Sequence, residues 1–379
     1  MRTRTKADKF PLWLHPSGQW CKKIRGRFHY FGTDRDEALK RFAAEWDDLK
    51  AGRAPRPRAD DLTLADLCNH FLTDRRDRLR AGDLTARSWA DYYATCEALN
   101  EAFGRGRTVA DLRPDDFARL RAKAAGRLGP VALGNFVQRV RTVFKFGFDA
   151  ELVAVPVRFG PSFAKPSRRS LRLARADRGP RLIGASDLRK LLAGADVQLK
   201  AMVYLGVNCG FGQTDCSELT RAALARPGWI DFRRQKTGTP RRAPLWPETV
   251  DALKAVAAVR PSPLDPADAD CVFITRFGRQ WVRTTDRGEE KPGVRVDAVG
   301  QEFAKLARRV GVAVPGPYTL RHVFLTVAEE IRDPVAVGLI MGHVDDGIAA
   351  HYREHVSDTR LQAVVDLVRN WLMADRPQT

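Results

Sequence analysis

Two linker-like stretches interrupt this chain and constrain its fold more than any other feature. Ala51 to Asp61 is dense in Pro, Arg and Gly, and Val155 to Gly184 in Pro, Arg and Ser. Such composition neither sustains an apolar stripe nor tolerates a regular ladder, so both read as linkers. They cut 379 residues, too many for one ordinary core, into three pieces with different patterns. In residues 1–52 the runs Leu12–Leu14, Gln19–Ile24 and Arg27–Phe31 alternate apolar and polar side chains, separated by Pro16-Ser17-Gly18 and Arg25-Gly26. Three short antiparallel strands are expected there, then a helix from about Asp34 whose Ala38, Phe42, Ala43, Trp46 and Leu49 recur at helical spacing. Residues 62–154 carry helical periodicity throughout, with helices predicted near Leu64–Leu79, Thr85–Phe103, Arg113–Ala125 and Val131–Leu152. Residues 155–184 are the second linker. Residues 185–379 mix helices with a short β element, in which Trp229–Phe232 and Arg242–Leu245 flank the turn Lys236-Thr237-Gly238-Thr239-Pro240. Further helices are expected over Glu248–Val259, Val299–Val310, Thr319–Ile331, Pro334–Met341 and Asp358–Leu372. The fold class is mainly α with small β elements, and no internal repeat is visible.

The formal net charge is +19 and the pI about 10.1. An excess of that size concentrates polyanions around the chain, and nucleic acid is the natural partner. Arg75, Arg76, Arg78, Arg80, Arg87, Arg139, Arg141 and Lys145 stud the helical piece, where a single charge reads as a solvated helix face and the cluster as a phosphate-binding one. Lys22, Lys23, Arg25 and Arg27 lie beside the first hairpin, and a two-stranded ribbon fits the major groove. The six cysteines, Cys21, Cys68, Cys96, Cys209, Cys216 and Cys271, form no CxxC pair. Neither a zinc site nor a secreted disulfide scaffold is expected, and reduced thiols in a cytoplasm fit better. The basic N-terminus is followed by no apolar h-region, and no run is long enough to span a bilayer. A soluble, cytoplasmic protein without a membrane partner or metal is therefore expected.

The chemistry concentrates near the C-terminus. Tyr318-Thr319-Leu320-Arg321-His322 is followed by Met341-Gly342-His343 and then His351-Tyr352-Arg353, with Tyr352 nine residues past His343. A tyrosine that attacks phosphorus stores the phosphodiester energy as a phosphotyrosine, with no cofactor. Its phenol, with an ordinary pKa near 10, needs cationic help. The phosphoryl group needs fixed donors, and the leaving oxygen an acid. Tyr352 suits the nucleophile. Arg321, whose planar guanidinium matches two phosphoryl oxygens, suits the clamp. It stands at the edge of the apolar stripe Leu320, Phe324, Val327, Ala328 and Ile331. His343 suits a donor to a non-bridging oxygen, and Lys236 an acid.

In order and spacing these residues resemble the C-terminal signature of the tyrosine recombinases, the phage integrase family. The likeness is strongest from about Asn208 to Leu372. It implies an arm-type DNA-binding domain at 1–52, a helical core-binding domain at 62–154, a basic linker at 155–184 and a mixed α/β catalytic domain at 185–379. It implies site-specific cleavage and rejoining of double-stranded DNA attachment sites through a 3′-phosphotyrosine, by a protein monomeric in solution and tetrameric on DNA. Lys236 corresponds to the hairpin lysine that protonates the leaving 5′-oxygen. Lys22, Lys23, Arg25, Arg27, Arg168, Arg169 and His322 are the implied DNA contacts. Two departures stand out. Tyr318 occupies a place the family usually gives to His, three residues before Arg321. The first arginine, normally in Gly-Leu-Arg-x-x-Glu-Leu, is missing from Cys209–Leu219, although Glu218-Leu219 aligns. Losing such a donor costs on the order of a hundred- to a thousandfold in rate, unless Gln213, Thr214, Arg221 or Arg241 substitutes. Two alternatives stay open. One is a DNA-binding protein of this fold without catalysis, and the other a type IB topoisomerase-like enzyme, against which the arm-like N-terminal piece argues.

Overall fold

Alternating side chains and a two-residue turn make the N-terminal sheet. In the computed structural model of the chain, β1 (Trp13–Leu14), β2 (Trp20–Ile24) and β3 (Arg27–Tyr30) form an antiparallel sheet in that order. Arg25 and Gly26 join β2 to β3 with φ of 48° and 86°, the positive pair that a tight hairpin turn requires. α1 (Arg35–Ala51) is capped by Asp34, whose carboxylate accepts from the Asp36 and Glu37 N–H groups, and ends at Gly52. It buries Ala38, Phe42 and Leu49 against Leu12, Ile24 and Phe31. The described residues are 10–52, 62–179, 182–234, 238–285, 287–288, 291–344, 347, 350 and 352–374.

The helical piece holds α2 (Leu64–Arg80), opened by a Thr63–Asp66 capping box, α3 (Ala86–Phe103), α4 (Pro114–Ala125) and α5 (Pro130–Asp149). Pro114 and Pro130 sit at the first helical positions, where a missing N–H costs nothing. Leu67, Phe71, Leu99, Phe117, Val140 and Phe144 form its core. The stretch read from sequence as linker is more structured than its composition implied. Phe163 is buried in this same core with Phe159 and Val157 against it, held by Arg141, which donates to the Phe163 carbonyl at 2.7 Å. Beyond it, Arg168–Arg178 forms a helix, α6, with none of its residues buried.

By Cα proximity the chain divides into Met1–Ala81 with Asp91–Leu171, and Gly82–Ala90 with Arg172–Thr379. The second unit contains α7 (Ala185–Gly194), α8 (Val197–Cys209), α9 (Gln213–Ser217), the β4 (Trp229–Asp231) and β5 (Arg242–Pro244) pair, and α10 (Pro247–Val259). The pair β6 (Val282–Thr284) and β7 (Arg295–Asp297) follows, then α11 (Ala298–Arg309), α12 (Tyr318–Ala328), α13 (Pro334–Met341) and α14 (Asp358–Met373). Helix α8 is apolar on nearly every face and packs against α10 and α12. Gly206 lets α12 come close: a Cβ there would lie 2.8 Å from Leu320 Cδ1. Asn208 at the end of α8 is fully buried and hydrogen-bonded through both its nitrogen and its oxygen. Its amide donates to the Pro244 carbonyl at 3.1 Å, and its oxygen accepts from Trp246 N–H and Thr249 Oγ1, both at 2.9 Å. A buried amide satisfied this way ties α8 to β5 and α10. No helix among the described residues is long and apolar enough to cross a membrane.

Candidate active site

Two helices end beside one another in the second unit. α8 stops at Gly210 and α13 at Gly342, both in the left-handed conformation with φ of 63° and 64°. A helix C-terminus leaves carbonyls unsatisfied and carries partial negative charge, which draws cations. Arg321, the fourth residue of α12 and next to the Leu320 contact, donates from Nη1 to the Gly210 carbonyl at 2.6 Å and from Nη2 to the Met341 carbonyl at 2.9 Å. Arg241, just before β5, makes the parallel bridge one residue earlier on each helix. Its Nη2 donates to the Cys209 carbonyl at 2.8 Å and its Nε to the Ile340 carbonyl at 3.1 Å. Its third nitrogen, Nη1, lies 3.2 Å from the Asp215 carboxylate, and the guanidinium stacks 4.0 Å from the Phe211 ring centroid. Arg321 and Arg241 are only 4% and 2% exposed.

Arg234 completes the cluster. It follows β4, its backbone pairs with Thr239 and Gly238 to close the base of the hairpin, and its Nη1 is 3.5 Å from the Gly342 carbonyl. His343 follows directly and is exposed. These neighbours shift one another's protons. Burial, then Arg241 and Arg234, bring Arg321 down to about 10, while burial lowers Arg241, with the Asp215 carboxylate opposing. Partial burial, then Arg321, Arg234 and Arg241, lower His343, so its imidazole is neutral at pH 7. Among the described residues, three guanidiniums are countered by one carboxylate, a balance suited to an oxyanion.

Tyr318 begins α12 with its ring edge-on to His322, centroids 5.4 Å apart, and 3.6 Å from where a Cβ on Gly212 would stand. Tyr352 is 81% exposed, beyond α13 on the segment leading to α14. Lys236 and His351 lie outside the described residues.

Of the four residues named above as stand-ins for a first arginine, the structure brings only Arg241 to Arg321. The Gln213 amide faces Asp297 at 3.4 Å and Thr214 Oγ1 accepts from Arg295 at 3.0 Å, both toward β7. Arg221 donates to the Ala269 carbonyl and pairs with Asp270. The expected DNA contacts of the N-terminal sheet divide similarly. Lys22 stacks over Phe42 and Trp46 on the helix side, and Arg25 caps α1 through the Lys50 carbonyl. Lys23 and Arg27 stay exposed, alongside exposed Trp13, Phe28 and Tyr30. Arg168 and Arg169 are exposed on α6. Sequence reasoning missed Arg234. Its signal was the Arg233-Arg234 pair entering the turn that carries Lys236. Among the described residues, no group of His, Cys, Asp and Glu is arranged to hold a metal ion.

No family model matches the sequence, and no curated protein does. Solved structures do match in fold. A lambda integrase dimer bound to a COC′ core site superposes with TM-score 0.53 at 13% identity, over 94% of this chain and 97% of that one. A lambda integrase tetramer bound to a Holliday junction gives 0.51 at 14%, over 93% and 97%. The Tn1549 transposon integrase in complex with transposon right end DNA gives 0.57 at 14%, over 81% and 100%. Identity this low carries fold and not activity: the chain has the tyrosine recombinase fold.

Proposed function

We propose that this protein is a site-specific recombinase that breaks and rejoins double-stranded DNA through Tyr352. The observation that supports this most is the gathering of Arg321, Arg241, Arg234 and His343 at two helix ends, in a chain with this fold. In the reaction the Tyr352 phenol loses its proton to solvent as its oxygen attacks phosphorus, the P–O5′ bond breaks, and a 3′-phosphotyrosine forms. Lys236 gives its proton to the leaving 5′-oxygen, and the reverse attack by a 5′-hydroxyl rejoins the strand. Arg321 holds non-bridging oxygens, while neutral His343 and the Tyr318 phenol donate to them. No cofactor takes part, because the phosphodiester energy is kept in the covalent link. Lys23, Arg27, Arg168, Arg169 and His322 contact DNA. Residues 1–52, 62–154 and 185–379 serve as arm-type, core-binding and catalytic domains of a cytoplasmic protein, monomeric alone and tetrameric on paired attachment sites.

One observation favours a non-catalytic DNA-binding protein instead: Arg321 and Arg241 spend four N–H groups on protein carbonyls. Nicked duplexes of randomised sequence, which lose the 5′-hydroxyl fragment after cleavage, separate the two. A covalent protein–DNA adduct that disappears in Tyr352→Phe, with DNA affinity kept within about threefold, supports recombinase chemistry. Tight binding with no adduct refutes it. A topoisomerase-like enzyme would relax supercoiled plasmid without pairing two duplexes.

A further inference from the structure

The family pattern places its first arginine three residues before Glu-Leu. With Glu218-Leu219 in register, the residue at that place is Asp215. A carboxylate stands where a guanidinium is expected, so the site has a reversed charge and not merely a gap. The same carboxylate meets a guanidinium that arrives from elsewhere. Arg241 Nη1 lies 3.2 Å from Asp215 Oδ2, while the Arg241 Nε and Nη2 are anchored on the Ile340 and Cys209 carbonyls. Asp215 is itself held in place, accepting from the Gly212 N–H at 2.8 Å. Nη1 is buried and makes no well-aligned hydrogen bond among the described residues. It is therefore a spare, charged donor in a group otherwise saturated by acceptors.

We infer that the arginine has moved: Arg241, delivered by the β4–β5 hairpin and steadied by Asp215, replaces the missing first arginine as the second phosphate-binding guanidinium. This rests on the recombinase reading above. On phosphate entry, an oxygen of the phosphodiester takes Nη1 over from Asp215, which keeps its bond to the Gly212 N–H.

The test has two readouts on the full-length chain. The first is the rise in melting temperature caused by inorganic phosphate relative to chloride at equal ionic strength. The second is adduct yield on the randomised nicked duplexes. Arg241→Gln, which keeps a donor for one carbonyl, should lose at least half of the phosphate-induced rise and at least tenfold in adduct yield. Asp215→Arg combined with Arg241→Gln restores the guanidinium at the family position, and should regain both relative to Arg241→Gln alone. Should Arg241→Gln fail to fold, Asp215→Asn decides. It leaves Arg241 uncompensated, and its phosphate-induced rise should exceed that of the wild type. Arg241→Gln with an undiminished phosphate effect overturns the inference, as does Asp215→Asn with an unchanged or smaller one. A wild type that gives no adduct, yet shows an Arg241-dependent phosphate effect, removes the recombinase reading and leaves the phosphate assignment in place.

Discussion

Gly342→Ala is a small change with a large expected cost, and the cost is calculable. Gly342 has φ of +64°, where a residue with a Cβ loses about 1 kcal/mol relative to glycine. The new methyl would also stand 2.5 Å from Arg241 Cγ and 2.7 Å from its Cδ, with Arg234 Cδ at 3.3 Å. A free arginine would swing aside. Arg241 cannot, because its head is bound to the Ile340 and Cys209 carbonyls and to Asp215. Relieving the collision costs at least one charge-assisted hydrogen bond, about 1.5–3 kcal/mol. The total is about 2.5–4 kcal/mol, which for a unit of this size lowers the melting temperature by roughly 10 °C. The assay is a double-mutant cycle by urea unfolding, with Gly342→Ala made in the wild type and in Arg241→Ala. In the second background the collision is gone and only the backbone cost of about 1 kcal/mol remains, giving a coupling of about 2 kcal/mol. Equal costs in the two backgrounds, or a cost below about 1 kcal/mol in the wild type, would refute the reasoning.

Asn208→Ala should cost about 3 kcal/mol in urea unfolding, since it strands the Trp246 N–H, the Thr249 hydroxyl and the Pro244 carbonyl in the core; a loss under 1 kcal/mol would contradict the network. His343, lowered in the fold, binds a proton more readily when unfolded. Stability should therefore rise with pH from its depressed folded value up to about 6.5 and fall as acid protonates it. His343→Gln should flatten that segment of a melting-temperature series, and a superimposable series would exclude the assignment. DNA affinity should fall steeply with salt, the log–log slope being about −0.9 per phosphate neutralised. A slope shallower than about −3 would remove DNA as the reason for the charge excess.

Much of the fold was legible because its helices announce themselves. Thr63 and Asp66 box the start of α2, Pro114, Pro247 and Pro334 open their helices, and the apolar stripe of α12 pointed to a buried edge on which Arg321 sits. Helix α8 escaped for a physical reason: with Leu199, Met202, Val203, Leu205 and Val207 all buried, it has no polar face and so no 3.6-residue period. Helix α6 hid behind five arginines in a segment whose composition reads as tether. The N-terminal hairpin shows a missed inference. Lys22 and Lys23 are neighbours in one strand and must point to opposite faces, so both could not serve one DNA surface. Arginine counts misled more generally. Arg189 caps α14 through the Leu372 carbonyl, Arg360 makes a two-pronged pair with Asp333, and Arg75 lies over Phe71. That Arg241, of the four candidates, lies beside Arg321 is visible only in three dimensions, because its partners lie 26 to 99 residues away in the chain.

The charge arithmetic of the site argues that its arginines are more than helix caps. A helix C-terminus is worth roughly half a negative charge, so α8 and α13 together supply about one, and Asp215 supplies another. Arg321, Arg241 and Arg234 bring three positive charges to these groups, and neutral His343 changes nothing. Among the described residues about one positive charge is left over, and the N-terminus of α12 adds to the same sign. The excess is visible in Arg321, whose proton is held less tightly than usual partly because Arg241 and Arg234 crowd it. A fold that needed only to cap two helices would be more stable with one guanidinium fewer. A residual charge of about one among the described residues, bordered by the exposed His343 imidazole, is of the size that a single phosphodiester would neutralise.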